Sequence, residues 1–82
     1  MKEIILDGSR LTEKETAHAY LKEALELPTY YGENLDALMD CLTDLEGVSI
    51  IIENPDLNAA YMKKLMKVFL RAQAEGCINI HL

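Results

Sequence analysis

Hydrophobic residues along the chain follow two spacings, one typical of strands and one typical of helices, and the two alternate. Short or alternating apolar runs predict β-strands at residues 4–6, 48–53 and 78–82. Apolar residues three or four positions apart predict amphipathic helices at residues 12–27, 33–45 and 58–75. Strands separated by helices pair in parallel through right-handed crossovers.

Polar residues within the strands indicate that the sheet is covered on one face only. The last strand alternates apolar and polar residues, and Ser49 and Glu53 interrupt the otherwise apolar second strand. We therefore predict one domain over residues 1–82, a two-layer α/β fold. It has three parallel strands in the order 1-2-3, with the helices packed mainly on one face.

Local signals predict where the helices begin and end. Thr12 and Glu15 have the spacing of a capping box, which places the start of the first helix at Thr12, and Pro28 ends that helix. Gly47 and Gly76 are expected to end the second and third helices, because glycine adopts the left-handed backbone conformation found at helix ends.

The middle helix has an apolar side and an acidic side. The apolar stripe consists of Leu35, Leu38, Met39, Leu42 and Leu45, and the acids opposite are Glu33, Asp36, Asp40 and Asp44. Acids four positions apart destabilise a helix by roughly 0.2–0.5 kcal/mol per pair, and no Lys or Arg lies between Lys22 and Lys63. A cationic partner would offset this cost, although an acidic helix kept for solubility explains the spacing equally well.

The charge balance narrows the choice of partner. The 82 residues carry a formal net charge of −6, which argues against nucleic acid or an anionic membrane and favours a basic protein surface. No apolar run reaches membrane-spanning length, and the first residues do not resemble a signal peptide. We therefore expect a cytoplasmic protein in which Cys41 and Cys77 are reduced thiols.

Few residues offer catalytic chemistry. The chain lacks a phosphate-binding glycine loop, a CxxC pair and an HExxH motif. Asp36 and Asp40 could share Mg²⁺ or Ca²⁺, but two carboxylates alone make a weak site. His18 is expected to be structural or solvated. Tyr30 and Tyr31 are more typical of a protein interface, with Tyr30 the more exposed of the two.

The segment around these tyrosines carries a specific resemblance. Leu27-Pro28, the run from Tyr30 to Leu38 (YYGENLDAL) and the run from Asp40 to Thr43 (DCLT) resemble the central motif of the barstar family. These proteins are intracellular inhibitors of barnase-type, guanyl-specific ribonucleases. A second block, with Val68-Phe69, Ala72 and the run from Ala74 to Cys77, is similar to the end of the family's last helix.

The resemblance implies a mechanism of binding. In this family the acidic helix and the loop before it occlude the active site of the ribonuclease, and one aspartate stands in for a substrate phosphate. Asp40 matches that aspartate, and Tyr30, Asn34, Asp36 and Glu75 match other contact positions. With the remaining residues of the acidic helix, the expected partner-binding residues are Tyr30, Asn34, Asp36, Met39, Asp40, Asp44, Leu45 and Glu75.

Three positions depart from the family pattern. Met39 and Leu45 stand where the family's best-characterised member has tryptophan, so two aromatic anchors are lost. Arg71 replaces a glutamate, and it would either favour a partner with an acid at that point or pair with an acid on the neighbouring helix. The segment at residues 54–60 is shorter, so one short helix is expected to be reduced or missing.

These observations support one leading hypothesis and two alternatives. The leading hypothesis is a cytoplasmic, monomeric inhibitor of an extracellular barnase-type ribonuclease, an immunity protein or antitoxin with no catalytic activity and no cofactor. The first alternative is an immunity or regulatory protein of the same fold with a different basic protein partner. The second is a small metal-dependent enzyme that uses the acids of the middle helix.

Overall fold

The computed structural model describes residues 2–81 and has the predicted order of strands and helices. The elements are β1 (Lys2–Asp7), a 3-10 turn (Gly8–Arg10), α1 (Lys14–Ala24), α2 (Leu35–Thr43), β2 (Val48–Glu53), α3 (Ala60–Ala74) and β3 (Ile78–His81). Leu82, predicted as the last residue of the third strand, lies outside the described residues. None of the helices in residues 2–81 combines the length and the apolar character that crossing a bilayer requires.

The sheet is parallel, in the order β1-β2-β3, and this confirms the predicted fold class. One face carries the sheet's share of the core and packs against the helices, with buried Leu6, Val48, Ile50, Ile52 and Ile78. The other face is open to solvent, as shown by the 58% exposure of Ile5 and by exposed Glu53, Asn79 and His81. The alternation in β2 and β3 follows from this one-sided burial.

The predicted capping box at Thr12 is wrong. α1 begins at Lys14, and its N-cap is Glu13, whose side chain makes no capping hydrogen bond. The chain reaches this point through the 3-10 turn, where the Leu11 amide donates to the Gly8 carbonyl at 3.1 Å. Leu11 is fully buried. Anchoring Leu11 in the core therefore delays the start of the helix by two residues.

α1 also ends earlier than predicted, at Ala24. The Leu27 amide donates to the Lys22 carbonyl at 2.9 Å and the Glu26 amide donates to the Glu23 carbonyl at 3.2 Å, which is the Schellman arrangement. It places Glu26 at φ 52°, a conformation that normally selects glycine. Because the position is held by glutamate, the sequence offered no signal for this stop.

The ends of the other two helices fit the predictions unequally. α3 ends with Gly76 at φ 81° and with the Cys77 amide bonded to the Ala72 carbonyl, which confirms the glycine stop. α2 ends at Thr43, and Gly47 instead lies directly before β2 at φ 64°. Residues 54–59 form turns without a helix, as the shortened segment predicted.

Gly8 is required for the close approach of two turns at the carboxyl ends of β1 and β2. A Cβ atom at this position would lie 2.6 Å from the Cα of Pro55 and 2.8 Å from the carbonyl oxygens of Glu53 and Asn54. Because all three contacts are to backbone, the crowding cannot be relieved by a rotamer change. We expect Gly8→Ala to lower the free energy of unfolding by at least about 1–3 kcal/mol in a urea titration.

Gly76→Ala is a control for this measurement, since it strains a positive φ of 81° in open space. That strain costs about 1 kcal/mol. A Gly8→Ala variant more stable than Gly76→Ala would show that the two turns do not approach closely in solution.

Candidate protein-binding site

The start of α2 is fixed by Asn34. Its side-chain oxygen accepts from the Ala37 amide at 2.8 Å, and its side-chain nitrogen donates to the Gly32 carbonyl at 3.3 Å. This is an N-cap that also ties down the preceding loop. Glu33, predicted on the acidic side of the helix, instead lies in the loop at φ 53°. The cap therefore sets the direction in which the acids of α2 point.

Three of the predicted acids lie on one exposed side of α2. Asp36 and Asp40 are one helical turn apart, and Asp44 follows as the C-cap residue. All three side chains are exposed, and none forms an ion pair with another described residue. The local electrostatic cost that the sequence indicated is therefore not offset within residues 2–81.

The apolar side of α2 faces the core, as predicted. Leu38 and Leu42 are fully buried, whereas Met39 and Leu45 are half-buried and pack against the edge of the core. Leu45 lies two residues beyond the end of the helix. These two residues therefore offer a partner only part of their apolar surface.

The two tyrosines before α2 have opposite environments, as expected. Tyr30 is 82% exposed and Tyr31 is 5% exposed. The Tyr31 amide donates to the Pro28 carbonyl at 2.9 Å, which closes a turn that places the two side chains on opposite sides. Tyr30 is the one large aromatic side chain in residues 2–81 that is freely available to a partner.

His18 holds the binding loop against the helical layer. Its side chain is 1% exposed, with Nδ1 bonded to the Tyr31 hydroxyl and Nε2 bonded to the Tyr61 hydroxyl, each at 2.5 Å. The network joins α1, the loop before α2, and α3. Burial, followed by the nearby Lys14 charge, lowers the pKa of His18. Burial raises the pKa of Tyr31 and of Tyr61, so both hydroxyls stay protonated.

The sequence predicted a structural or solvated role for His18 but not this network. Its only signal was a polar residue at a position of the first helix that falls next to buried Ala17 and Leu21. Which hydroxyls it would bond could not be inferred, because Tyr31 and Tyr61 are 13 and 43 residues away along the chain.

The last two candidates lie at the end of α3, which packs against α2. Glu75 is the C-cap residue of α3 and is exposed. Arg71, one turn earlier, is also exposed and forms no ion pair with any described residue. Of the two interpretations of Arg71, internal pairing with an acid of α2 is therefore not realised.

Little in the structure indicates metal or thiol chemistry at this site. Within residues 2–81, no three His, Cys, Asp or Glu side chains come together in an arrangement that could hold a metal ion. Cys41 and Cys77 are half-buried free thiols. Burial, together with the charges of Asp44 and Asp40, raises the pKa of Cys41 and favours the unreactive thiol form.

Comparison with known proteins agrees with this geometry. The family model described as barstar (barnase inhibitor) matches residues 1–78. A Bacillus subtilis (strain 168) protein, the candidate ribonuclease inhibitor YrdF, is 38% identical over 82 aligned positions, which cover 92% of this chain and 89% of the relative. The chain therefore belongs to the barstar family of barnase inhibitors.

Proposed function

We propose that the protein inhibits a barnase-type, guanyl-specific ribonuclease by laying α2 and its preceding loop over the enzyme's active site. The observation that carries this proposal is the row of exposed, unpaired acids on α2, Asp36, Asp40 and Asp44, in a member of the barstar family. The relative from Bacillus subtilis, by its name a candidate ribonuclease inhibitor, supports the same assignment.

The chemistry of inhibition is charge mimicry. A ribonuclease binds the phosphates of RNA with cationic side chains, and a carboxylate presented in their place accepts charge-assisted, bidentate hydrogen bonds. Asp40 lies in the middle of the acidic row, so we assign it this role. No bond of the partner is broken or formed. The protein acts by occupying the site, and it needs neither a cofactor nor a catalytic residue of its own.

Pre-organisation makes this binding favourable. The Asn34 cap fixes the start of α2, and the bonds between His18 and two tyrosines fix the loop before it. Little conformational entropy is therefore lost when the partner docks. Tyr30 adds a rigid aromatic contact at one end of the surface, Glu75 adds an acid from α3, and Met39 and Leu45 fill the remaining apolar contacts.

The biological consequence is protection of the cell that makes the ribonuclease. We place the inhibitor in the cytoplasm as a monomer, where it captures enzyme molecules that fold before export, in the manner of an immunity protein or antitoxin. The direct test is to titrate purified barnase-type ribonucleases with the wild-type protein and follow RNA cleavage. Stoichiometric inhibition at nanomolar concentration is expected.

Absence of inhibition for every barnase-type ribonuclease tested, with a different basic protein recovered on pull-down from the native cell, would contradict the proposal. That outcome would instead support a regulatory or immunity protein of the same fold with another partner.

The acidic surface also predicts how association responds to salt. Raising the ionic strength from about 0.01 M to about 1 M shortens the Debye length from about 30 Å to about 3 Å, which screens the attraction during encounter. We expect the association rate constant to fall by at least about tenfold, with a much smaller change in the dissociation rate constant. Stopped-flow fluorescence measures both constants, and an association rate independent of salt would contradict electrostatic steering.

A further inference from the structure

Positive charge is concentrated on α3, as negative charge is concentrated on α2. Between Ala60 and Ala74 the helix has no Asp or Glu, and its four cations, half of the eight in the chain, are Lys63, Lys64, Lys67 and Arg71. All four side chains are exposed, and none forms an ion pair with another residue of the described range 2–81. α3 therefore carries the same kind of uncompensated local repulsion as α2.

The two charged helices lie side by side and point in the same direction. Each precedes a strand of one parallel sheet and packs on the same face of that sheet. Their first turns meet in an open cleft of about 380 Å³, lined by Lys14, Asn34, Leu35, Asp36, Tyr61 and Lys64. The start of α3 therefore adjoins the start of α2, and the end of α3, with Arg71, adjoins the end of α2.

Helical spacing separates the cations of α3 into two groups. Residues at alternating intervals of three and four form one side of a helix, and the row that starts in the cleft beside α2 consists of Tyr61, Lys64, Val68, Arg71 and Glu75. Lys63 lies about 100° around the helix from Lys64. Lys64 and Arg71 therefore border the acidic side of α2, whereas Lys63 faces away from it.

A partner that covers α2 must also cover this row. A helix of nine residues is about 14 Å long and about 10 Å wide, so it presents only about 140 Å². A stable protein interface buries about 800 Å² on each side. The missing area has to come from the elements beside α2, and α3 is the neighbouring helix that packs against it.

We infer that Lys64 and Arg71 contact carboxylates of the partner, so that the inhibited ribonuclease carries acidic residues beside the basic cleft that receives Asp40. This inference rests on the proposed function and specifies the partner further. A uniformly basic partner would set like charges against Lys64 and Arg71, which costs affinity and slows encounter. The recognition surface is thus bipolar, acidic along α2 and basic along the adjoining row of α3.

The test compares charge reversals at three exposed positions of one helix. Lys64→Glu, Arg71→Glu and the control Lys63→Glu each change the net charge by the same amount, and thermal unfolding verifies that each variant is folded. Their association rate constants are measured by stopped flow with a barnase-type ribonuclease that the wild-type protein inhibits. We expect Lys64→Glu and Arg71→Glu to associate at least about fivefold more slowly than the control.

Lys63→Glu is expected to associate as fast as the wild type or faster, since added negative charge attracts a basic enzyme. Lys64→Glu and Arg71→Glu variants that associate as fast as the control would overturn the inference and leave the proposed function intact. A wild-type protein that inhibits none of the ribonucleases would overturn both.

Discussion

Replacement of Asp40 by alanine is expected to raise the Kd for the inhibited ribonuclease at least about thirtyfold, which corresponds to about 2 kcal/mol. The general rule for such hot spots takes its largest value from the barstar–barnase pair itself, so this magnitude comes from the family. The physical reason is that the enzyme's cations are left buried and unpaired when the carboxylate is removed. The loss should appear mainly as faster dissociation, measured by competition with labelled wild-type protein.

The same substitution should leave the fold intact. Asp40 is exposed and forms no ion pair within residues 2–81, and alanine favours a helix more than aspartate does. Loss of affinity therefore cannot be attributed to unfolding, and thermal unfolding of the free variant verifies this.

Glu53→Ala is the matched control for Asp40→Ala, because it removes one exposed carboxylate from the open face of the sheet. It changes the net charge equally and should affect only long-range attraction, with a small effect on association and almost none on dissociation. Asp40→Asn keeps the shape of the side chain and removes its charge, so it separates electrostatics from packing. Equal, small effects of Asp40→Ala and Glu53→Ala would contradict the assignment of Asp40.

The fold was predictable because its strands and helices are marked by burial on one side. The spacing of Leu38 and Leu42 in α2 and the alternation of Ile78 and Ile80 in β3 record which face meets the core. The ends of the helices were less predictable. The start of α1 depends on tertiary burial of Leu11, and its end depends on a glutamate in a glycine-like conformation.

The binding surface was predictable for a different reason. Asp36, Asp40 and Asp44 break the local rule against like charges one turn apart, and such violations concentrate where a partner supplies the compensation. What holds this surface in place could not be predicted, since the bonds between His18 and two distant tyrosines exist only in the folded chain. The cations of α3 that adjoin α2 likewise required knowledge of which helices are neighbours.

The network around His18 leads to the second large expected effect, a loss of stability when the imidazole is removed. His18→Ala leaves the buried Tyr31 hydroxyl and the Tyr61 hydroxyl without their shared partner and opens a cavity between α1 and α3. Unsatisfied buried polar groups and lost packing together cost about 2–4 kcal/mol. We expect urea denaturation to show this decrease, and a variant as stable as the wild type would contradict the network.

The same network predicts how stability depends on pH. Neutral imidazole donates one hydrogen bond and accepts another, whereas the protonated ring can only donate, so protonation disrupts one of the two tyrosine bonds.

Burial holds the pKa of His18 below its usual value of 6.5, so in mildly acidic solution the unfolded chain binds a proton that the folded protein excludes. The free energy of unfolding should therefore be full above about pH 7, should fall as the pH drops below 6.5, and should level off below the folded-state pKa. His18→Gln should remove this slope between about pH 5 and 7, and His81→Gln, at an exposed histidine of β3, should retain it. A slope that survives in His18→Gln would assign the pH dependence to another group and exclude His18 as its source.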